Sequence, residues 1–204
     1  MQKKKFDTRR LVLLGVLCAI LLIMSFTPLG YLTIGPLAIS LNMIPVAIAA
    51  VALGPVEGAI LGGLFGITSF LQCVGIGGTS PMGVILFEIS PVLAFIQRFV
   101  PRVLAGLLSG WAYKLAARLL GHTAAGFITG FCAALLNTVL FMTALVVLFG
   151  STQYVQELIG GRNIIVFMCA FVGINAVVEM LAATFIVGFV AKALEKTKLL
   201  RRAV

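Results

Sequence analysis

The chain has 204 residues, 61% of them hydrophobic and only 10% charged, with a mean hydropathy of +1.18. A soluble domain carries about 25% charged residues, so this composition excludes a soluble surface and predicts one all-α integral membrane domain over residues 1–204, with five or six spans of ~20 residues. The net charge of +9 does not indicate nucleic acid, because the basic residues flank apolar runs, as membrane orientation and anionic headgroups demand.

Residues 1–26 have a basic start followed by an apolar stretch, like a signal peptide. No A-x-A site follows and more spans come next, so a retained first helix is expected. Span 1 is predicted over Leu11–Phe26. A Pro/Gly-rich outer loop, Thr27–Ser40, follows, in which the alternation Tyr31-Leu32-Thr33-Ile34 suits a short hairpin. Span 2, Leu41–Leu53, is interrupted by Pro45 and is short for ~30 Å of hydrocarbon, so it needs protein around it. Gly54–Gly58 reads as a tight turn, and span 3 runs from Gly58 to Val74. A long irregular segment between helices 3 and 4 is expected over Gly75–Val100. Pro101 then opens span 4, which ends near Leu119. Span 5 covers Thr123–Phe149, Gly150–Arg162 is a polar loop, and span 6 covers Asn163–Ala193. Span 6 is too long for one straight crossing, so it tilts or begins in the outer interface. The expectation is therefore six transmembrane helices.

With the N-terminus inside, twelve of the fifteen basic residues fall on the inner side. Only Arg98, Arg102 and Arg162 fall outside. Both termini are expected to be cytoplasmic in a multi-pass protein of the cell membrane.

No enzyme motif is present: no H-E-x-x-H, no G-x-S-x-G, no Walker A loop and no metal-ligand cluster. The lone His122 lies in a turn. Cys18, Cys73, Cys132 and Cys169 form no C-x-x-C pair and read as small apolar residues. No enzymatic activity, cofactor or metal is expected, and ATP energy, if used, comes from another chain. Polar residues within spans are the exception, because they are unfavourable in hydrocarbon. Asn137 lies in span 5. Asn175 and Glu179 share a face of span 6 at i, i+4. Thr68 and Gln72 share a face of span 3, Asn42 opens span 2, and Gln97 and Arg98 precede span 4. Each either bonds a neighbouring helix, for ~0.6 and at most ~2 kcal/mol, or lines a polar site opening outward. Small residues form two stripes: Gly54, Gly58, Gly62 and Gly66 on span 3, and Gly15 with Ala19 on span 1. Such stripes let backbones approach closely, either inside the bundle or against a partner.

The run from Ile34-Gly35-Pro36 through Ala52-Leu53-Gly54-Pro55-Val56-Glu57-Gly58 to Phe65-Gly66-Ile67-Thr68-Ser69 resembles the substrate-specific S components of energy-coupling factor (ECF) transporters. Pro101-Arg102-Val103-Leu104-Ala105-Gly106 resembles the start of their fourth helix, and Leu136-Asn137-Thr138 and Val178-Glu179 resemble their fifth and sixth. The resemblance covers nearly the whole chain. It implies six helices and a vitamin-type substrate bound near the outer face. It also implies a membrane coupling subunit, two cytoplasmic ATPases, and toppling in the bilayer to carry the substrate inward. Family members carry an A-x-x-x-A motif on helix 1 against the coupling subunit; here Gly15 stands for the first alanine and Ala19 for the second. Within the family the chain is most similar to pantothenate-type members, whose substrate offers a carboxylate, hydroxyls and amides to Arg98, Asn137 and Gln97. Asn175, Gln72 and Glu179 complete the candidate set. A riboflavin or other vitamin component is the nearest alternative, although a flavin wants stacking aromatics and the only tryptophan, Trp111, lies deep in span 4. A solitary ion-coupled carrier titrating Glu179 is the other; no internal repeat supports it.

Overall fold

The first apolar run forms α1 (Thr8–Ser25). The structure, a computed structural model, describes residues 8–27, 30–34, 37–161 and 163–197. Pro28, Gly35, Pro36, Arg162, the basic residues at 3–5 and those at 198–202 lie outside the described residues, as does the side chain of Cys169. The expected hairpin is present: β1 (Tyr31–Ile34) and β2 (Leu37–Ser40) pair antiparallel, from Tyr31 opposite Ser40 to Ile34 opposite Leu37. α2 (Met43–Ala52) follows, with Pro45 in its first turn, where a missing N–H is harmless. At ten residues it is roughly 15 Å long, and all of it except Ile48 is buried. Protein surrounds it, as its short length requires.

The expected turn at 54–58 is narrower than read, because Pro55 already opens α3 (Pro55–Leu71), which ends in a 3₁₀ turn at Gln72–Val74. The irregular segment expected between helices 3 and 4 is mostly helical. α4 spans Pro81–Ile89 and α5 spans Pro91–Leu120. Ser80 and Ser90 cap these helices, accepting from the N–H groups of Gly83 (3.3 Å) and Leu93 (3.5 Å). Pro81 and Pro91 are first-turn residues, a position that favours proline. Pro101 therefore does not open a helix; it lies inside α5 and removes one ladder hydrogen bond there. α6 (His122–Phe149) follows a one-residue link at Gly121. The expected polar loop at 150–162 contains α7 (Gln153–Ile159), capped by Thr152. α8 (Ile164–Lys196) bends at Gly173, whose φ of 25° and ψ of −118° are non-helical. Among the described residues, five helical segments are long and apolar enough to cross a membrane: Thr8–Ser25, Pro55–Val74, Pro91–Leu120, His122–Phe149 and Asn175–Lys196.

The glycine stripe of α3 is internal packing. A Cβ on Gly62 would collide with the carbonyl oxygen of Arg102, and one on Gly58 with that of Gly106, so α3 and α5 touch backbone to backbone. Gly126 and Gly130 bring α6 against α8, where an added Cβ would strike the Ala191 methyl and the Ala183 carbonyl oxygen respectively. By contrast, α1 is pinned mainly at its ends. At one end Arg10 reaches the Glu57 carboxylate (2.8 Å) and the Leu53 carbonyl (2.5 Å). At the other, Gln72 Nε2 donates to the Ser25 carbonyl (3.1 Å) and the Ser25 and Thr68 hydroxyls are 3.1 Å apart. Between the pins Leu17 and Leu21 are buried, while Gly15, Ala19 and their neighbours Val12, Val16, Ile20 and Ile23 are exposed.

Candidate substrate site

Buried apolar residues form two clusters stacked along the bundle. The larger includes Phe65, Ala105, Ala133, Ala134 and Ala183; the smaller includes Ala94, Met142, Leu145, Phe149 and Phe167. On each of three helices the polar residues fall between the two. On α5 these are Gln97, Arg98 and Arg102, on α6 Asn137, and on α8 Asn175 and Glu179. A polar belt thus crosses the bundle on the side of the hairpin, α4 and α7.

Arg98 is its best-defined member, 6% exposed. Its Nη1 lies 3.4 Å from the Ser69 hydroxyl on α3, and its Nη2 lies 3.2 Å from the Ser80 hydroxyl that caps α4. Its guanidinium carbon lies 5.3 Å from the centre of the Phe141 ring. Arg102, one helical turn on, is 5% exposed. It donates to the Arg98 carbonyl (2.6 Å) and sits 4.5 Å from the Phe65 ring and 5.0 Å from the Phe141 ring. Two guanidiniums therefore share one aromatic ring, and each such contact is worth ~0.5–2 kcal/mol. α7 contributes Tyr154, whose phenol is held above its ordinary range by burial, with the Arg98 charge pulling the other way. It is therefore a neutral O–H group beside Arg98.

On α8, Glu179 Oε1 accepts from the backbone N–H of Ser40 at the end of β2 (2.5 Å), which ties the hairpin to the belt. Asn175, half-buried, lies one turn above Glu179. Among the described residues, three amide side chains retain buried atoms with no hydrogen-bond partner: both ends of Gln97, both ends of Asn42 and the Oδ1 of Asn137. An unmet buried amide atom is unfavourable by ~1–3 kcal/mol, so these groups gain from any polar ligand that reaches them.

The structure thus brings Arg98, Asn137 and Glu179 into the belt, with Asn175 beside them and Gln97 on the same turn of α5 as Arg98. Gln72 instead spends its donor on α1. Arg102 and Phe141 were missed. Arg102 was read as an outer-side basic residue, although its i, i+4 spacing from Arg98 on an apolar helix was visible. Trp111 is 56% exposed on the outside of the bundle, away from the belt. Cys73 is buried and Cys18 and Cys132 are half-buried, all as free thiols.

An apolar bundle with five crossing-length helices among the described residues and a buried, cation-bearing polar belt has the build of a multi-pass membrane protein. The chain belongs to the family described as ECF transporter, substrate-specific component, whose profile matches residues 9–191; it is the substrate-binding subunit of such a transporter. Among its relatives is the "Pantothenic acid transporter PanT" of Lactococcus lactis subsp. cremoris, 28% identical over 96% of this chain and 98% of that one. The "Pantothenate transporter PanT" of Leuconostoc mesenteroides subsp. mesenteroides is 30% identical over 92% of each. The fold is similar to that of a solved structure of ThiT from Listeria monocytogenes, with a TM-score of 0.61 at 21% identity, covering 94% of this chain and 98% of that one.

Proposed function

We propose that the chain captures pantothenate outside the cell and delivers it inward as part of an ATP-driven importer of the plasma membrane. Binding and carriage are its whole chemistry. The observation that carries this is a buried guanidinium, Arg98, set in a belt of amides with unmet hydrogen-bonding atoms. A guanidinium suits a carboxylate, to which it gives two parallel hydrogen bonds, and amides suit the hydroxyl and amide groups of the same molecule. The names of the two PanT relatives support the same substrate. The exposure of Trp111 speaks against a stacked flavin.

Asn137, Asn175 and Arg98 are the proposed principal contacts, with Gln97, Glu179 and Gln72 secondary. Calorimetry on purified protein checks this. Arg98→Ala and Asn137→Ala should each raise the Kd for pantothenate about tenfold or more, the ~1.4 kcal/mol of one good polar contact. Unchanged affinity in both folded variants would discard the site.

The proposed topology is one domain of six helices, in which α2 is the short sixth, with both termini cytoplasmic. Exposed positions on opposite ends test it. In a background with the native cysteines replaced by serine, Thr79→Cys and Ser151→Cys should react with an impermeant maleimide on intact cells. Lys196→Cys should react only after permeabilisation. The reverse pattern inverts the protein. The partners proposed are a membrane coupling subunit, docked on the exposed Gly15–Ala19 face of α1, and two cytoplasmic ATPases.

A further inference from the structure

We propose that Asn42, at the head of α2, is a further substrate contact that reads a neutral hydroxyl or amide of the ligand and not its carboxylate; this rests on the pantothenate assignment above. Asn42 is wholly buried, at 0% exposure, yet neither its Nδ2 nor its Oδ1 has a hydrogen-bond partner. A side chain at this place ordinarily caps the helix it precedes. Asn42 does not: its backbone is already helical (φ −64°, ψ −17°), and its side chain accepts no bond from the first turn of α2. Among the described residues, Gln97 alone shares the feature of a buried amide with both ends unmet. A core gains nothing from such a group, since an apolar side chain of the same shape would fill the place without the unmet polar atoms.

The surroundings of Asn42 are held by backbone. The Leu41 N–H donates to the Gly30 carbonyl (3.1 Å), and the Gly30 N–H to the Thr27 carbonyl (3.3 Å). A Cβ on Gly30 would strike the Met24 carbonyl oxygen and the Asn42 Oδ1, so the root of the hairpin closes directly on this amide. The hydroxyl oxygens of Thr27 and Ser40, at the same root, are also buried and unmet. Ser40, whose N–H reaches Glu179, stands two residues before Asn42, a span of at most ~7 Å along the chain. The amide therefore lies beside the Glu179 end of the belt, where a ligand held by α5 and α6 meets the hairpin root.

An asparagine side chain offers N–H donors at one atom and an acceptor at the other. A ligand group that both donates and accepts, a hydroxyl or an amide, answers both. A carboxylate answers Nδ2 alone and leaves Oδ1 facing an anion. The Thr27 and Ser40 hydroxyls can turn to either role, so they add capacity without changing the preference. With the carboxylate assigned to Arg98, the hydroxyls and amide of pantothenate remain for Asn42. Rejection of an analogue that lacks the right group follows from the buried polar atoms it leaves unpaired.

The test is calorimetry on the purified full chain, with thermal unfolding of the ligand-free protein beside it. The ligands are pantothenate; pantothenol, in which CH2OH replaces the carboxylate; and three analogues that each lack one neutral donor. In two of these a hydrogen replaces one pantoyl hydroxyl, and in the third an ester oxygen replaces the amide N–H. Asn42→Ala should weaken pantothenate and pantothenol alike by about tenfold or more, and at least one of the three analogues by no more than about threefold. Its ligand-free melting temperature should be unchanged or higher, because the amide removed has no partner to lose. Equal weakening of all five ligands, or a lower melting temperature, makes the residue structural and overturns the proposal. Weakening of pantothenate without pantothenol assigns Asn42 to the carboxylate and overturns it as well. If Asn42→Ala does not fold, Asn42→Ser is read by the same comparison, and failure of both to fold overturns the proposal. A wild-type chain that does not bind pantothenate refutes the pantothenate assignment, and the proposal falls with it.

Discussion

A tryptophan at Gly15 or at Ala19 will abolish ATP-driven uptake while leaving substrate affinity within about threefold, under ~0.7 kcal/mol. Gly15 and Ala19 are one turn apart on the exposed face of α1, flanked by Val12, Val16, Ile20 and Ile23. A Cβ added at Gly15 would meet nothing within 4 Å, so a side chain there starts out into open space on the outside of the bundle. It does disturb a helix that packs from outside, because in lipid such packing depends on close approach rather than on burial from water. The polar belt lies deeper in the bundle and toward its other end, and the contacts of α1 with α3 nearest to it, at Ser25, are untouched. Uptake into vesicles reconstituted with coupling subunit and ATPases, set beside calorimetry on the same variants, measures both quantities. Normal uptake by the tryptophan variants would leave α1 as a lipid-facing helix with no docking role. Parallel loss of binding would mean that this face holds the bundle together.

The second large effect is on folding. Gly62→Val should lower the melting temperature of the detergent-solubilised protein by about 5 °C or more. Overfilling a packed contact is unfavourable by ~1–3 kcal/mol and occasionally more, and a chain of this size loses ~2–4 °C per kcal/mol. A Cβ there runs into the Arg102 carbonyl, which belongs to backbone and cannot swing aside. The displaced segment of α5 carries both arginines, so pantothenate affinity should fall as well. Gly63→Ala is the control, since its Cβ meets only side-chain atoms at ordinary contact distance, the edge of the Phe99 ring at 3.4 Å and a Val103 methyl at 3.5 Å. Thermal unfolding of the two variants side by side checks the expectation. Equal melting temperatures would show that α3 and α5 tolerate a wider crossing than the glycines indicate.

Much of the bundle was legible because hydrocarbon permits few solutions. A long apolar run must satisfy its own backbone and therefore becomes a helix, which is why α1, α6 and the body of α3 stand close to where the apolar runs placed them. The segment between α3 and α5 was misread through its prolines. Pro81 and Pro91 look like breakers until the serines before them are read as caps, after which each pair marks a helix start. Pro101 misled in the opposite sense, since inside a long membrane helix the lost hydrogen bond is tolerated. The buried polar residues were legible one by one but not as an arrangement. Asn137 and Glu179 stood out as polar groups at depth, whereas the Phe141 ring near two guanidiniums depends on how α5 and α6 face each other, which no spacing within one helix encodes.

Membrane thickness acts on a protein only through the helices that lipid touches. α2 is half the length of the hydrocarbon slab and is the element that hydrophobic mismatch should penalise most. Yet it contacts α1, α3, α5, α6 and α8, all five of the long helices, and nearly all its side chains are covered. Acyl chains therefore never measure its length. A bilayer of different thickness is met by tilting the outer ring, while the short central strut, with the polar residues at its mouth, is insulated from that adjustment.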